Sequence, residues 1–179
     1  MHLSKWLLSL WGWKVVGHYP DYKKMVVVSA PHTSMWDFVI GRLYFYTIGI
    51  QPRLLMKKEL FFFPLGYLLK QMGGIPVDRL RKTNIVEQLV DKFDNNESFV
   101  LIITPEGTRR KVKNWKEGFY HIAKAANVPV VPGYFDYDKK IIGIGEAFFV
   151  SESVVNDINR VKKLVKDTVP KHPQKYSYA

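Results

Sequence analysis

The sequence predicts an α/β fold: a single domain with a mostly parallel sheet flanked by helices. Three observations carry that expectation. Short runs of β-branched and apolar residues recur along the chain, around 26–29, 53–56, 75–77, 99–103 and 128–135. Between them lie segments whose apolar residues repeat at helical spacing, and strands that alternate with helices imply parallel pairing. The run Phe99-Val100-Leu101-Ile102-Ile103 has no polar position, as expected of a central strand covered on both faces.

Taken in order, residues 1–16 place Leu3, Leu7, Leu10 and Trp11 at helical spacing, with three Trp and two Lys. The apolar part is shorter than the ~20 residues a spanning helix needs, and no small-residue cleavage site follows it. It reads as an amphipathic helix, lying in a membrane interface or packed on the domain. Val26–Ser29 is a buried strand. A helix is expected from about Ser34 to Ile48, with Gly49 as its C-cap, followed by a strand at 53–56. Three successive Phe at 61–63 cannot all face one core, so some are expected to line an apolar channel or touch lipid, and Pro64 and Gly66 break any long helix there. A short strand spans Gly73–Arg79. Asn84 caps a helix whose apolar face is Ile85, Val86, Leu89, Val90 and Phe93. After the central strand at 99–103 come a polar loop at 110–114, a helix at about 117–126, strands at 128–135 and 140–144, and an amphipathic helix carrying Val154, Val155, Ile158, Val161 and Val165. The tail at 171–179 is expected to be loose. No repeat or linker divides the 179 residues, so the whole chain, 1–179, reads as one domain.

Composition narrows the function classes. There is no cysteine, hence no disulfide framework, thiolate metal site or Cys nucleophile, which fits a reducing compartment. No metal is expected, since His2, His18, His121 and His172 show no ligand spacing. The formal net charge of +11 favours polyanions, and 15% aromatic content with five Trp leans towards an anionic membrane surface rather than nucleic acid. No recognised nucleic-acid motif is present, and the aromatics lie in apolar runs rather than between basic residues.

The chemistry gathers at strand ends, where open α/β sheets bind ligands. His32 follows the first buried strand and Asp37 falls in the first turn of the next helix. A carboxylate that accepts a hydrogen bond from one imidazole nitrogen sets the tautomer and leaves the other nitrogen as a general base. Ser34 with Asp37 three residues on is also a capping-box pattern, so Asp37 alone can be read as a helix cap. Two further strand ends carry Asp78-Arg79 and Glu106-Gly107-Thr108-Arg109. Gly107 permits a tight turn that presents amides to an anion, and arginines offer planar forks for phosphate. Ser29 and Ser34 flank the histidine, but neither sits in a nucleophile elbow, which disfavours a hydrolase.

His32 and Asp37 with four residues between them, Gly74-Ile75-Pro76-Val77-Asp78-Arg79, Pro105-Glu106-Gly107-Thr108-Arg109 and Val128-Pro129-Val130-Val131-Pro132 resemble the four ordered blocks of the glycerolipid acyltransferases. Among these they are most similar to the lysophosphatidate (1-acylglycerol-3-phosphate) acyltransferases. The resemblance covers roughly residues 25 to 145. It implies a glycerol-3-phosphate acyltransferase-like fold and an O-acyltransferase. A lysophospholipid hydroxyl would attack the thioester of acyl-CoA or acyl carrier protein as co-substrate, with no other cofactor. His32 would act as general base and Asp37 would orient it. Glu106, Gly107, Thr108 and Arg109 would form the acceptor-phosphate site, with Arg109 the main contact, Glu106 buttressing the loop, and Arg79 and Lys58 as further candidates. The expected location is peripheral, on the cytoplasmic face of a membrane. No spanning helix or long two-helix region precedes the His block as in larger members, which leaves the mode of membrane attachment, the measure of acyl chain length and the exact acceptor open. The alternatives are a lyso-aminolipid or other lysophospholipid acceptor, and a lipid-binding protein of the same fold without catalysis.

Overall fold

The computed structural model describes residues 2–77 and 85–177. In chain order the elements are α1 (His2–Leu10), β1 (Lys14–Val16), β2 (Lys24–Ser29), α2 (Met35–Thr47), β3 (Arg53–Lys57), α3 (Leu65–Gln71) and β4 (Gly74–Val77). They continue with α4 (Ile85–Asp94), β5 (Phe99–Ile103), α5 (Gly118–Ala125), β6 (Val130–Asp136), β7 (Ile141–Ile144) and α6 (Val154–Val165). The strands form one sheet in the order β1-β7-β6-β2-β5-β3-β4. Every pairing is parallel except β6 with β7, which a short connection folds back antiparallel.

β2 and β5 sit at the middle of the sheet, and their uninterrupted apolar character follows from cover on both faces. Alternate side chains point to opposite faces of a strand. Val26, Val28, Phe99 and Leu101 therefore pack with Leu89, Phe93, Phe119 and Val161 of α4, α5 and α6. Met25, Val27 and Val100 pack on the other face with Leu8, Ile40, Tyr44 and Phe45 of α1 and α2. Two apolar layers thus hold the carboxyl ends of β2, β5 and β6 side by side.

Several expectations change in the structure. The stretch 1–16 is not one segment: the helix stops at Leu10, and Gly12 adopts a left-handed φ of +77° that turns the chain. Lys14–Val16 then adds an edge strand beside β7, too short and exposed to show a period in sequence. Leu8 and Trp13 are buried, whereas Leu3, Trp6 and Leu10 are exposed at 69%, 58% and 63% on the outer face. Of the three phenylalanines, Phe62 and Phe63 are exposed. No long helix forms there: the seven-residue α3 starts after Pro64, and Gly66 in its first turn lets the Phe61 backbone approach where a Cβ would come within 2.6 Å of it. The tail expected to be loose is packed through Ser177: Pro173–Lys175 form a 3₁₀ turn and Tyr176 is buried. Asp78, Arg79 and Asn84 lie outside the described residues. No helix among the described residues is long and apolar enough to cross a membrane.

Candidate active site

The turn between β2 and α2 is built around one carboxylate. Asp37, 3% exposed, accepts on Oδ2 from the backbone N–H groups of Thr33 and Ser34, each at 2.9 Å, and from His32 Nδ1 at 3.0 Å. Ser34 Oγ in turn accepts from Trp36 N at 3.1 Å, so α2 carries a capping box. The helix-cap bonds and the bond to His32 are therefore both present on Asp37. The helix cap holds the carboxylate in place, and its position at the first turn of α2 puts it against the imidazole. The second oxygen, Oδ1, accepts from the Tyr137 hydroxyl at 2.6 Å. A carboxylate with its lone pairs occupied by four donors has little freedom to rotate, and it fixes His32 with Nδ1 as the donor. Among the described residues Nε2 has no protein partner, and the histidine side chain is 21% exposed. The dyad can take a proton at Nε2 and stabilise the imidazolium that results.

Glu106, after β5, is the second buried acid of the site. Its Oε1 accepts from the His32 backbone N–H at 3.0 Å, tying the β5 loop to the turn between β2 and α2. Its Oε2 is buried with no hydrogen-bond partner among the described residues. Burial pushes the Glu106 carboxyl above its ordinary value, opposed by hydrogen bonds from its own backbone N–H and from His32 N. Gly107 takes a left-handed φ of +62°, which favours glycine, and the end of the Lys116 side chain lies against it, 3.0 Å from where a Cβ would be. Thr108 Oγ1 accepts from Arg110 N at 3.3 Å, and Arg109 is exposed.

A cleft beside the dyad is lined by His32, Glu106, Arg110, Trp115, Lys175 and Tyr176, among others. Of the residues expected at the site, the structure brings together His32, Asp37 and Glu106, with Gly107 and Thr108 in the same loop. Arg109 belongs to that loop but does not line this cleft; its neighbour Arg110 does. Lys58 lies in the 3₁₀ turn Lys58–Leu60 after β3, on the same edge of the sheet as Glu106, because β3 neighbours β5. Arg79 lies outside the described residues. Sequence reasoning missed Tyr137, Arg110, Trp115 and the whole tail. Tyr137 immediately follows β6, which neighbours β2, so the strand-end rule that located His32 also points to it. Nothing local marks the tail.

No group of three or more His, Cys, Asp or Glu among the described residues is arranged to hold a metal ion.

The family model described as Acyltransferase matches residues 14–136. The 1-acyl-sn-glycerol-3-phosphate acyltransferase of Haemophilus influenzae is 29% identical over 145 residues, covering 73% of this chain and 58% of that protein. The enzyme of the same name from Limnanthes alba is 29% identical over 118 residues, covering 62% of this chain and 40% of that one. The chain thus spans about half the length of these curated relatives. The crystal structure of the 1-acyl-sn-glycerophosphate (LPA) acyltransferase PlsC from Thermotoga maritima superposes with a TM-score of 0.62 at 21% identity, over 94% of this chain and 78% of that one. At that identity the likeness establishes the fold, the mostly parallel sheet with flanking helices expected from the sequence.

Proposed function

The chain belongs to the acyltransferase family, and on that premise we propose that it moves a fatty acyl group from a thioester to the hydroxyl of a lysophospholipid of the 1-acylglycerol-3-phosphate type. The donor is acyl-CoA or acyl carrier protein. His32 Nε2 takes the hydroxyl proton as the acceptor oxygen attacks the thioester carbonyl. Asp37 stabilises the imidazolium. The tetrahedral intermediate expels the thiolate, which leaves with the proton returned from His32. No acyl-enzyme is needed, in keeping with a chain that has no cysteine.

One observation carries this reading: a buried carboxylate bonded at 3.0 Å to a partly exposed imidazole, at the carboxyl end of a central strand. Beside it the loop of Glu106, Gly107, Thr108 and Arg109 is the candidate acceptor-phosphate site, with Arg109 as its main contact and Glu106 buttressing the loop, and with Lys58 and Arg79 as further candidates. Reaction occurs at a membrane face. Supporting this are the exposed Leu3, Trp6 and Leu10 on α1, Phe62 and Phe63 before α3, Met35 and Trp36 between His32 and Asp37, and a net charge of +11.

The test is direct. Purified protein is incubated with a panel of lysolipids and either acyl-CoA or acyl carrier protein, and products are identified by mass spectrometry. The expected result is an acylated lysophospholipid whose formation disappears in His32→Ala. No transfer from either donor to any lysolipid would overturn the reading.

A further inference from the structure

The chain does not leave the domain after α6; it returns across the catalytic turn. Thr168 is buried, and its hydroxyl donates to Val165 O at 2.7 Å. The backbone carbonyl of Val169 accepts at 2.7 Å from the N–H of Tyr137, the residue whose hydroxyl holds Asp37. Lys171 Nζ lies 4.7 Å from the centre of the Trp36 ring and 5.9 Å from that of Tyr137. His172 N donates to Thr33 Oγ1 at 3.2 Å, one residue from the catalytic histidine. Tyr176 is then 7% exposed, and Lys175, Tyr176 and Ser177 line the same cleft as His32 and Glu106. A segment anchored at both Tyr137 and Thr33 has its place set by the same residues that set the dyad.

This segment brings a cation to the cleft. Lys175 reaches it from the tail and Arg110 from the β5 loop. Both are exposed, and neither makes an ion pair among the described residues. Glu106 lines the same cleft, and burial pushes its carboxyl towards the neutral form. Lys175 lies outside the span matched by the family model, which ends at residue 136.

We propose that Lys175 and Arg110 form an anion clamp on the acceptor's phosphate, so that the C-terminal segment selects an acidic headgroup for this enzyme. The proposal rests on the acyltransferase reading. Phosphate is also present on acyl-CoA and acyl carrier protein, but there the length of the pantetheine arm separates it from the reacting thioester. In a lysophosphatidate the phosphate is only a few bonds from the hydroxyl that must sit at His32. A cation beside His32 therefore fits the acceptor. Lys175 offers a mobile point charge and Arg110 a planar fork, a pairing that follows a phosphate without requiring one fixed geometry.

The experiment measures steady-state acyl transfer by the wild type, Lys175→Gln, Arg110→Gln and the double variant. Lys166→Gln, an exposed lysine beyond α6, controls for net charge. Acceptors are a short-chain lysophosphatidate and its phosphate-free monoacylglycerol counterpart. Each cleft variant should raise the lysophosphatidate KM about tenfold, the lower range for a lost charge-assisted bond. The donor KM and the monoacylglycerol kinetics should stay unchanged, and Lys166→Gln should match the wild type. The proposal fails if the lysophosphatidate KM is unmoved in Lys175→Gln and the double variant, if the donor KM rises instead, or if Lys166→Gln has the same effect. If the wild type transfers no acyl group, the acyltransferase reading fails, and calorimetric titration with short-chain lysophosphatidate decides the clamp separately. Binding about tenfold weaker in the double variant upholds it, and equal binding or none overturns it. Both side chains are exposed, so thermal melts of the variants should match the wild type.

Discussion

At the residue scale, the site is a set of demands on one carboxylate. Asp37 caps α2, orders the turn after β2 through two backbone N–H groups and orients His32. A positioned general base contributes about 10²- to 10⁴-fold, so His32→Ala should lower kcat by that order with an unchanged melting temperature. Asp37→Asn should be severe in both respects, since an amide cannot accept from all four donors; activity and thermal melts measure the two losses separately. Tyr137→Phe removes one of the four while three remain. Its kcat should fall about tenfold through loss of a charge-assisted bond, with KM for donor and acceptor unchanged. A drop in stability with no change in kcat would reduce Tyr137 to a packing residue. Arg109→Ala should raise the KM of a phosphorylated acceptor more than that of the acyl donor, and Arg109→Lys should rescue only part of it.

At the scale of elements, α1 serves two surfaces. Leu8 packs into the layer under α2, while Leu3, Trp6 and Leu10, spaced to share one helical face, point outward. Deleting the helix would mix the two roles, so the outer face is best changed alone. Leu3→Ser, Trp6→Ser and Leu10→Ser combined should preserve the fold and abolish the salt-resistant part of vesicle binding. The charge-driven part, about 1 kcal/mol for each basic residue near an anionic surface, should survive at low salt. Sedimentation with anionic vesicles at low and high salt measures both parts. If the triple variant still sediments in high salt, the exposed Phe62 and Phe63 become the anchor to test.

At the scale of the whole molecule, the sheet brings buried acid chemistry to one edge, and stability carries its signature. Burial holds the folded-state Glu106 carboxyl above its unfolded value. Between those two values the native state binds the extra proton, so stability declines as pH rises through the window and the cost persists above it. Glu106→Gln keeps an oxygen to accept from His32 N and removes the buried charge. It should therefore raise the melting temperature at neutral pH and change it little at pH values below the unfolded carboxylate range. Thermal melts of wild type and variant across pH check this: a gain that is equal at all pH values would place the effect in packing rather than ionisation.

The sequence by itself determined the class of fold, the order of the main strands and helices, and the two ends of the dyad. Those features rest on local signals: an apolar run covered on both faces, an amphipathic period, and a histidine and carboxylate one turn apart. The same locality made the capping and dyad readings of Asp37 look like alternatives, when one carboxylate performs both. The tertiary structure alone decided which distant residues complete the site. Tyr137 reaches Asp37 across 100 residues because parallel pairing sets the end of β6 beside β2, and the backbone of His172 reaches Thr33 across 139 because α6 turns the chain back over that edge. A tail that is polar and aperiodic reads as loose, since its order comes from bonds to a surface that forms only when the sheet does. Lys175 carries no sign in its own neighbourhood that it faces His32.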